Sequence, residues 1–437
     1  SVSYSIYFMS TFHFLHRSLT LLVIAVLSTI SSGRAQNAST TLSLREALER
    51  AAEYNPALNA ARYYERAAEA LTEQAALRPN PTLDVSLENF GGTGSLRGTN
   101  KFEATVQARQ RFERGDKRSK RIAVARSDRE IVAINLAVQR IDVLTATTLA
   151  YIETLASKQR LALAAGPLAL AQKTLEAAEA RVKTGVASPA EPARAIVALA
   201  AAKLQYARTE SALTRARSSL GAQWGKRTED VPTLNGSIHV PDALPSEKRF
   251  LPGLREHPKL KLQQAIIASR RSALELERAQ ASSDITAGAG VHFLRNGSDA
   301  GFVAGLSVPL SFRNRNQGNI RAARENLNGA EQSVAAVENR LHTDFSAAWQ
   351  DLTSAYNAVQ SLRYDALKAT QEAHTFARRS YSEGQLPLID VLDAQRALFS
   401  LQRELLEAKT SYALSLARLE SLTAPKFPLT AATLSSQ

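Results

Sequence analysis

The chain has 437 residues and no cysteine, which excludes disulfides, thiolate metal ligands, a thiol nucleophile and a lipid-bearing N-terminal Cys together. Only 20 Gly and 15 Pro punctuate an Ala- and Leu-rich sequence, so helix is favoured because both breakers are scarce. A formal net charge of +13 raises nucleic acid as a partner, but no nucleic-acid motif is present and the N-terminus has the look of a secretory leader, so that class is set aside.

In that leader His13, His16 and Arg17 precede the apolar run Leu19 to Ile30, and Ser-Ser-Gly-Arg-Ala follows. Gly33 and Ala35 hold the small-residue positions before a cleavage site, which predicts a signal peptide over 1–35, cut after Ala35. The only methionine is Met9, so residues 1–8 are expected to lie upstream of the true start. The competing reading is a single membrane helix, but the run falls short of about 18 apolar residues. No later stretch reads as a transmembrane helix. The mature chain is therefore soluble or enters a membrane as strands.

Residues 36–225 form a first repeat. It opens with a helix from about Leu58 to Leu77 after Asn55-Pro56. Two alternating segments follow, at about 82–90 and 102–112. Leu83, Val85 and Leu87 alternate with Asp84, Ser86 and Glu88, and Ala104, Val106 and Ala108 with Glu103, Thr105 and Gln107. A long helical stretch runs from Glu113 to Gly185, and Pro167 inside it predicts a kink. A returning helix completes the unit.

Residues 226–250 contain Pro and Gly without long period and form a connector. A second repeat, 251–425, has the same grammar at an offset of about 200 residues. His257-Pro258-Lys259-Leu260 matches Asn55-Pro56-Ala57-Leu58, and Ile320-Arg321-Ala322-Ala323-Arg324 lies over Ile122-Ala123-Val124-Ala125-Arg126. Gly384, Asp390 and Ala394 lie over Gly185, Glu191 and Ala195. Its helix runs from about Leu260 to Ala281, and its strands are expected at about 285–293 and 302–312. Residues 426–437 are a C-terminal tail.

Strands of about 9–11 residues with period two suit a tilted membrane strand, and equally an ordinary sheet packed on a helix. Counting separates the two in part. Four strands cannot close a barrel, because the smallest membrane barrels use about eight, and open edges in lipid leave backbone groups unpaired. If these strands span a membrane, several chains share one barrel, and three chains supply twelve strands. Each long helical stretch reaches on the order of 100 Å at 1.5 Å per residue, which suits helices packed side by side in a wall of constant height.

The segment Pro309-Leu310-Ser311-Phe312-Arg313-Asn314-Arg315-Asn316-Gln317-Gly318 resembles the strand-to-helix junction of the heavy-metal-efflux, CzcC-like branch of the TolC-like outer-membrane factors. Gly384-Gln385-Leu386-Pro387-Leu388-Ile389-Asp390-Val391-Leu392-Asp393-Ala394-Gln395 is similar to that family's second periplasmic tip. The resemblance implies a mainly α fold with membrane β: a homotrimer with a twelve-strand barrel continued by a long periplasmic α-helical barrel. It also implies docking of a periplasmic adaptor (membrane fusion) protein and an inner-membrane pump of the RND type. The expected function is the outer-membrane exit duct of a tripartite efflux system, with heavy-metal cations as cargo. Drug efflux and protein secretion use the same scaffold, and a secreted coiled-coil interaction protein without a pore is the rival of another class. Several relatives in this branch carry an N-terminal lipidated Cys, which is missing here.

Gly185 and Gly384 each end a long helix and, with Val186, Gln385 and Leu386, mark simple turns or adaptor-docking tips; the resemblance favours tips. Asp390 and Asp393 share one helix face, as a solvated acidic patch or, in a three-fold assembly, as rings of carboxylates that attract cations. The resemblance sets both at the constriction as a selectivity gate, with Glu191 aligned to Asp390, Arg194 to Asp393, and Tyr381 holding the closed state. The basic run Arg109, Arg111, Arg114, Lys117, Arg118, Lys120 and Arg121 fits a solvated helix face or a contact with outer-membrane lipid headgroups. Past the leader, His239, His257, His292, His342 and His374 form no tight ligand spacing, so neither metal site nor cofactor is expected. No nucleophile–base pair or phosphate loop stands out, and no enzyme is read.

Overall fold

The computed structural model describes residues 41–423 except 187, together with 430, 433 and 434. The signal-peptide expectation and most of the expected tail lie outside the described residues.

The first half opens with strand β1 (Thr41–Leu42), α1 (Leu44–Tyr54) and α2 (Pro56–Ala75). Asn55 caps α2: its Oδ1 accepts from the N–H groups of Ala57 and Leu58 at 2.9 and 3.2 Å, with Pro56 where no helical N–H is needed. Strands β2 (Thr82–Glu88) and β3 (Glu103–Phe112) lead into α3 (Lys117–Lys183), a single helix of 67 residues and about 100 Å. Helix α4 (Ala190–Ala222) returns beside it.

The connector pairs β4 (Thr233–Leu234) in parallel with β1, then turns through the short α5 (Leu251–Arg255). The second half repeats the order: α6 (Pro258–Gln280), β5 (Ile285–Leu294), β6 (Asp299–Ser307), α7 (Gln317–Gln360), a π-helical turn at Ser361–Ala366, α8 (Leu367–Ser382) and α9 (Leu388–Thr423).

One expectation needs correction. The fourth strand runs over 299–307 rather than 302–312. Its register with β5, Leu294 opposite Asp299, is set by a four-residue turn, and Pro309 has no N–H to extend the ladder. Helix α3 runs on through Pro167, where a kink was expected. The repeat offset sets Ser361–Ala366 over Ala162–Pro167, so the second copy interrupts its helix with a π turn where the first carries proline. Both devices disturb the i→i−4 ladder at one level.

The four long strands form one antiparallel sheet in the order β2-β3-β5-β6, which leaves β2 and β6 as free edges. Register gathers most apolar positions on one face: Val85, Val106, Val291 and Phe302 lie in one row, Leu87, Ala104, Phe293 and Ala300 in the next, while Val303 and Leu294 fall on the other face. Phe302 is 98% exposed. A water-facing sheet would not present such a face. Below the sheet, one core gathers Leu42, Tyr151, Ile152, Leu155, Leu220 and Trp224, and a second gathers Phe250, Phe345, Leu352, Tyr412 and Leu419. The Tyr151 hydroxyl donates to the Leu42 carbonyl at 3.0 Å, and burial pushes its pKa up to about 12.

One described helix, α3, contains a window apolar enough to cross a membrane by length and composition, which the sequence reading passed over. Helix α3 packs against α1, α2, α4, α6 and α9, although little of that window is buried within the single chain.

Candidate functional site

The two ends of the long helices are built alike. At the first, Gly185 takes φ 72° and the Val186 N–H donates to the Arg181 carbonyl at 3.0 Å. At the second, Gly384 takes φ 76° and the Gln385 N–H donates to the Ser380 carbonyl at 2.8 Å. This six-to-one bond over a left-handed residue closes a helix and turns the chain sharply. Both glycines, Val186 and Gln385 are exposed, and Leu386 is half-buried.

Between the tips the structure gathers three polar side chains. The Arg181 guanidinium stands over the Tyr381 ring at 4.8 Å. Among the described residues, Arg181 Nε, Glu191 Oε2 and Tyr381 Oη are buried without a hydrogen-bond partner of good geometry. Burial pushes the Tyr381 hydroxyl pKa up; Arg181 opposes the shift and Glu191 adds to it. Unpaired buried polar groups cost free energy, so this contact is under-satisfied in the single chain. Tyr381 and Glu191 were expected at the site, whereas Arg181 was missed. Its signal lay in a cation four residues before a helix-ending glycine, where the dipole favours positive charge.

Asp390 and Asp393 take a different place. Both lie in the first turns of α9 and are exposed, and Asp393 Oδ1 sits 3.1 Å from Arg396. In one chain they form a solvated acidic face.

The basic run is largely engaged within the chain. Lys117 Nζ meets Asp284 at 2.6 Å, and Arg111 approaches the same carboxylate at 4.0 Å. Arg121 binds Glu113 at 2.6 Å while its Nε and Nη2 donate to the Ala75 and Leu77 carbonyls, and Arg118 donates to Ala76. These bonds cap the C-terminus of α2, whose last carbonyls have no helical donor. Lys120 stands 3.9 Å from Glu275. Arg114 keeps an exposed side chain, while its backbone N–H donates to Asp284. In the second copy Asn316 does the equivalent work, donating to the Glu277 carbonyl at 2.8 Å. Asp116 and Asn316 hold left-handed backbone just before the long helices, at φ 57° and 59°.

The polar face of the sheet carries its own network. Gln107 is only 7% exposed; its Nε2 would lie 2.7 Å from a Cβ at Gly288, so glycine there gives it room. Arg109 donates to Gln107 Oε1 at 3.1 Å and lies 3.5 Å from Asp84. The Thr105 hydroxyl and His292 Nδ1 are 2.8 Å apart, and His292 Nε2 is 3.6 Å from Glu103. A sheet with one apolar face and one hydrogen-bonded polar face is that of a membrane barrel wall.

The sequence pattern of the outer membrane efflux protein family matches residues 47–226 and 253–424. The chain is 28% identical over 364 residues to the cobalt-zinc-cadmium resistance protein CzcC of Cupriavidus metallidurans, covering 83% of this chain and 85% of that protein. It is 30% identical to the nickel-cobalt-cadmium resistance protein NccC of Alcaligenes xylosoxydans xylosoxydans, over 64% of this chain and 61% of that one. The solved structure of CusC superposes with a TM-score of 0.73 at 16% identity, covering 90% and 95% of the two chains, so the fold is that of the TolC-like channels. With both halves matched on a duplicated frame of hairpin and long helices, the chain belongs to the outer membrane efflux protein family, whose place is the outer membrane.

Proposed function

We propose that the chain is the exit duct of a tripartite efflux system, closed as a homotrimer and carrying heavy-metal cations handed over by a periplasmic adaptor and an inner-membrane RND-type pump. The observation that carries the reading is the four-stranded sheet, apolar on one face and polar on the other, with β2 and β6 unpaired. In lipid such edges must pair, and pairing β6 with a neighbour's β2 through three copies gives a closed twelve-strand wall. The helices support the same count. Helix α6 packs against both α3 and α7, whereas α2 packs against α3 and leaves Tyr63, Tyr64 and Leu71 exposed. A neighbour's α7 completes for α2 what the chain's own α3 does for α6.

Outer membrane efflux factors generally form trimers that work with an adaptor and an inner-membrane pump. The cation cargo rests on the metal-resistance relatives and on Asp390 and Asp393, which three-fold symmetry turns into rings of carboxylates. Gly185, Val186, Gly384, Gln385 and Leu386 are the surface offered to the adaptor, and Glu191 with Tyr381 the latch between tips. Of the basic run, Arg114 is the residue left to meet lipid headgroups.

Single-channel conductance of the purified protein in planar bilayers, beside Asp390→Ala/Asp393→Ala, tests the reading. A small cation-selective conductance is expected, with selectivity lost in the variant. A pore indifferent to the change removes the acidic gate. A folded trimer with no conductance overturns the duct and favours an interaction protein.

A further inference from the structure

Helices α3, α4 and α9 of the single chain border a partly open cavity of about 1020 Å³, with Val197 and Ile389 on its exposed side. That is the upper end of small-molecule sites. Helices α4 and α9 both pack on α3 without packing extensively on each other, which keeps the space open. Its walls are mostly apolar, with Leu163, Val197, Leu392 and Phe399 among them, and Pro167 brings no N–H to the Leu163 carbonyl.

Four guanidinium groups reach this space, Arg160, Arg194, Arg396 and Arg403, against the one carboxylate of Glu407. Glu407 is already taken: it receives Arg160 Nε and Nη2 at 2.7 and 2.8 Å, while Glu153 receives Nη1 at 2.6 Å. Arg396 has Asp393 at 3.1 Å. Arg403 donates only to the Ser400 hydroxyl at 3.2 Å, and Arg194 has no acceptor among the described residues. Arg194 and Arg403, both exposed, thus stand at the rim of an apolar groove without a carboxylate partner. A neutral apolar guest offers them nothing, and a cation is repelled.

We propose that this cavity binds an amphiphilic monoanion, a small apolar body with a carboxylate, sulfonate or phosphate-ester head. Arg194 and Arg403 hold the head, because the guanidinium fork matches planar or tetrahedral oxyanions. Phe399, Leu392 and Val197 take the body, whose burial drives entry. Arg396 connects the site to Asp393, so an occupied head group competes with that carboxylate for the arginine.

Titration calorimetry of the purified protein in non-ionic detergent tests this with 2-naphthalenesulfonate as probe and uncharged 2-naphthol as control. The variants are Arg194→Gln/Arg403→Gln, which removes the charge, and Ala201→Trp, which fills the cavity from α4. Micelle partitioning of each probe, which is greater for the uncharged naphthol, is measured in protein-free detergent and subtracted. One saturable site per chain is expected for the sulfonate, weakened roughly tenfold or more in either variant, with no saturable naphthol binding. Equal affinity in the charge variant, or naphthol binding as tightly as the sulfonate, overturns the proposal. So does an intact assembly with no saturable site, which means a neighbouring chain fills the cavity. Each of these failures leaves the bilayer conductance of the duct untouched, so the two readings fall separately.

Discussion

The Arg181 guanidinium lies 4.8 Å from the centre of the Tyr381 ring, and this contact ties the two tips of one chain across the repeat. Arg181 precedes Gly185 by four residues and Tyr381 precedes Gly384 by three. In the duct we propose, this contact between the last helical turns of the two copies acts as a latch.

Removing the cation should loosen that hold. A cation–π contact contributes about 0.5–2 kcal/mol, so Arg181→Ala is expected to raise open probability by roughly two- to thirty-fold. Tyr381→Phe keeps the ring, deletes a buried hydroxyl without partner, and should change little. Planar-bilayer recordings decide: an unchanged open probability in Arg181→Ala removes the latch.

The left-handed tips predict a local cost. A Cβ at Gly384 meets nothing within 4 Å, so Gly384→Ala is resisted by backbone strain alone, about 1–2 kcal/mol at φ 76°. Hydrogen exchange over 380–388 should quicken by roughly five- to thirty-fold while the strands keep their protection. Exchange that quickens equally in β3 and β5 would contradict a purely local effect.

His257 gives the second copy a pH dependence that the first lacks. Its Nδ1 accepts from the Lys259 N–H at 3.1 Å, which requires a neutral ring, whereas Asn55 does the same job with an amide oxygen. Burial, then the Lys259 charge, pushes the His257 pKa below its ordinary 6.5 against the pull of the Ser421 backbone and Asp142. The unfolded chain therefore binds the proton more readily, and the cap's contribution is full above 6.5 and lost as pH falls below it towards the folded value. Thermal unfolding of the native chain should weaken by about 1 kcal/mol over that window, while His257→Asn stays flat. Parallel pH profiles would sink the idea.

Asp284 anchors the junction beneath the sheet. Its burial would raise the pKa, but the Lys117 ammonium at 2.6 Å, the Arg114 N–H at 3.2 Å and the charge of Arg111 outweigh it and hold the carboxyl below the usual value. That stability is present above the ordinary pKa of 3.8 and is lost as pH falls through the folded one. Asp284→Asn leaves Lys117, 14% exposed, without its counter-charge and should cost about 1–3 kcal/mol in denaturant unfolding. A variant as stable as the parent would show that water already serves Lys117.

Much of the frame was legible because its determinants are local. Alternation at Leu83 to Glu88, the Asn55-Pro56 and His257-Pro258 helix starts, and the glycine stops at 185 and 384 each act within a few residues. The last strand was misplaced by three residues at its start and five at its end, because both ends depend on a turn and on a partner strand. The basic run shows the opposite limit. Arg118 and Arg121 looked like free surface charge, yet they bind carbonyls some 40 residues earlier, a relation set by how α2 packs on α3.

The sequence by itself determined the duplication, the two-faced strands and the left-handed helix ends, since periodicity and backbone sterics are properties of short segments. Only the tertiary structure decided which groups each charge meets: Arg160 with Glu407, separated by 247 residues, Lys117 with Asp284, and Arg181 over the Tyr381 ring. The physical reason is that a charge's partner is chosen by distance and burial in space, and no local pattern in the chain encodes either.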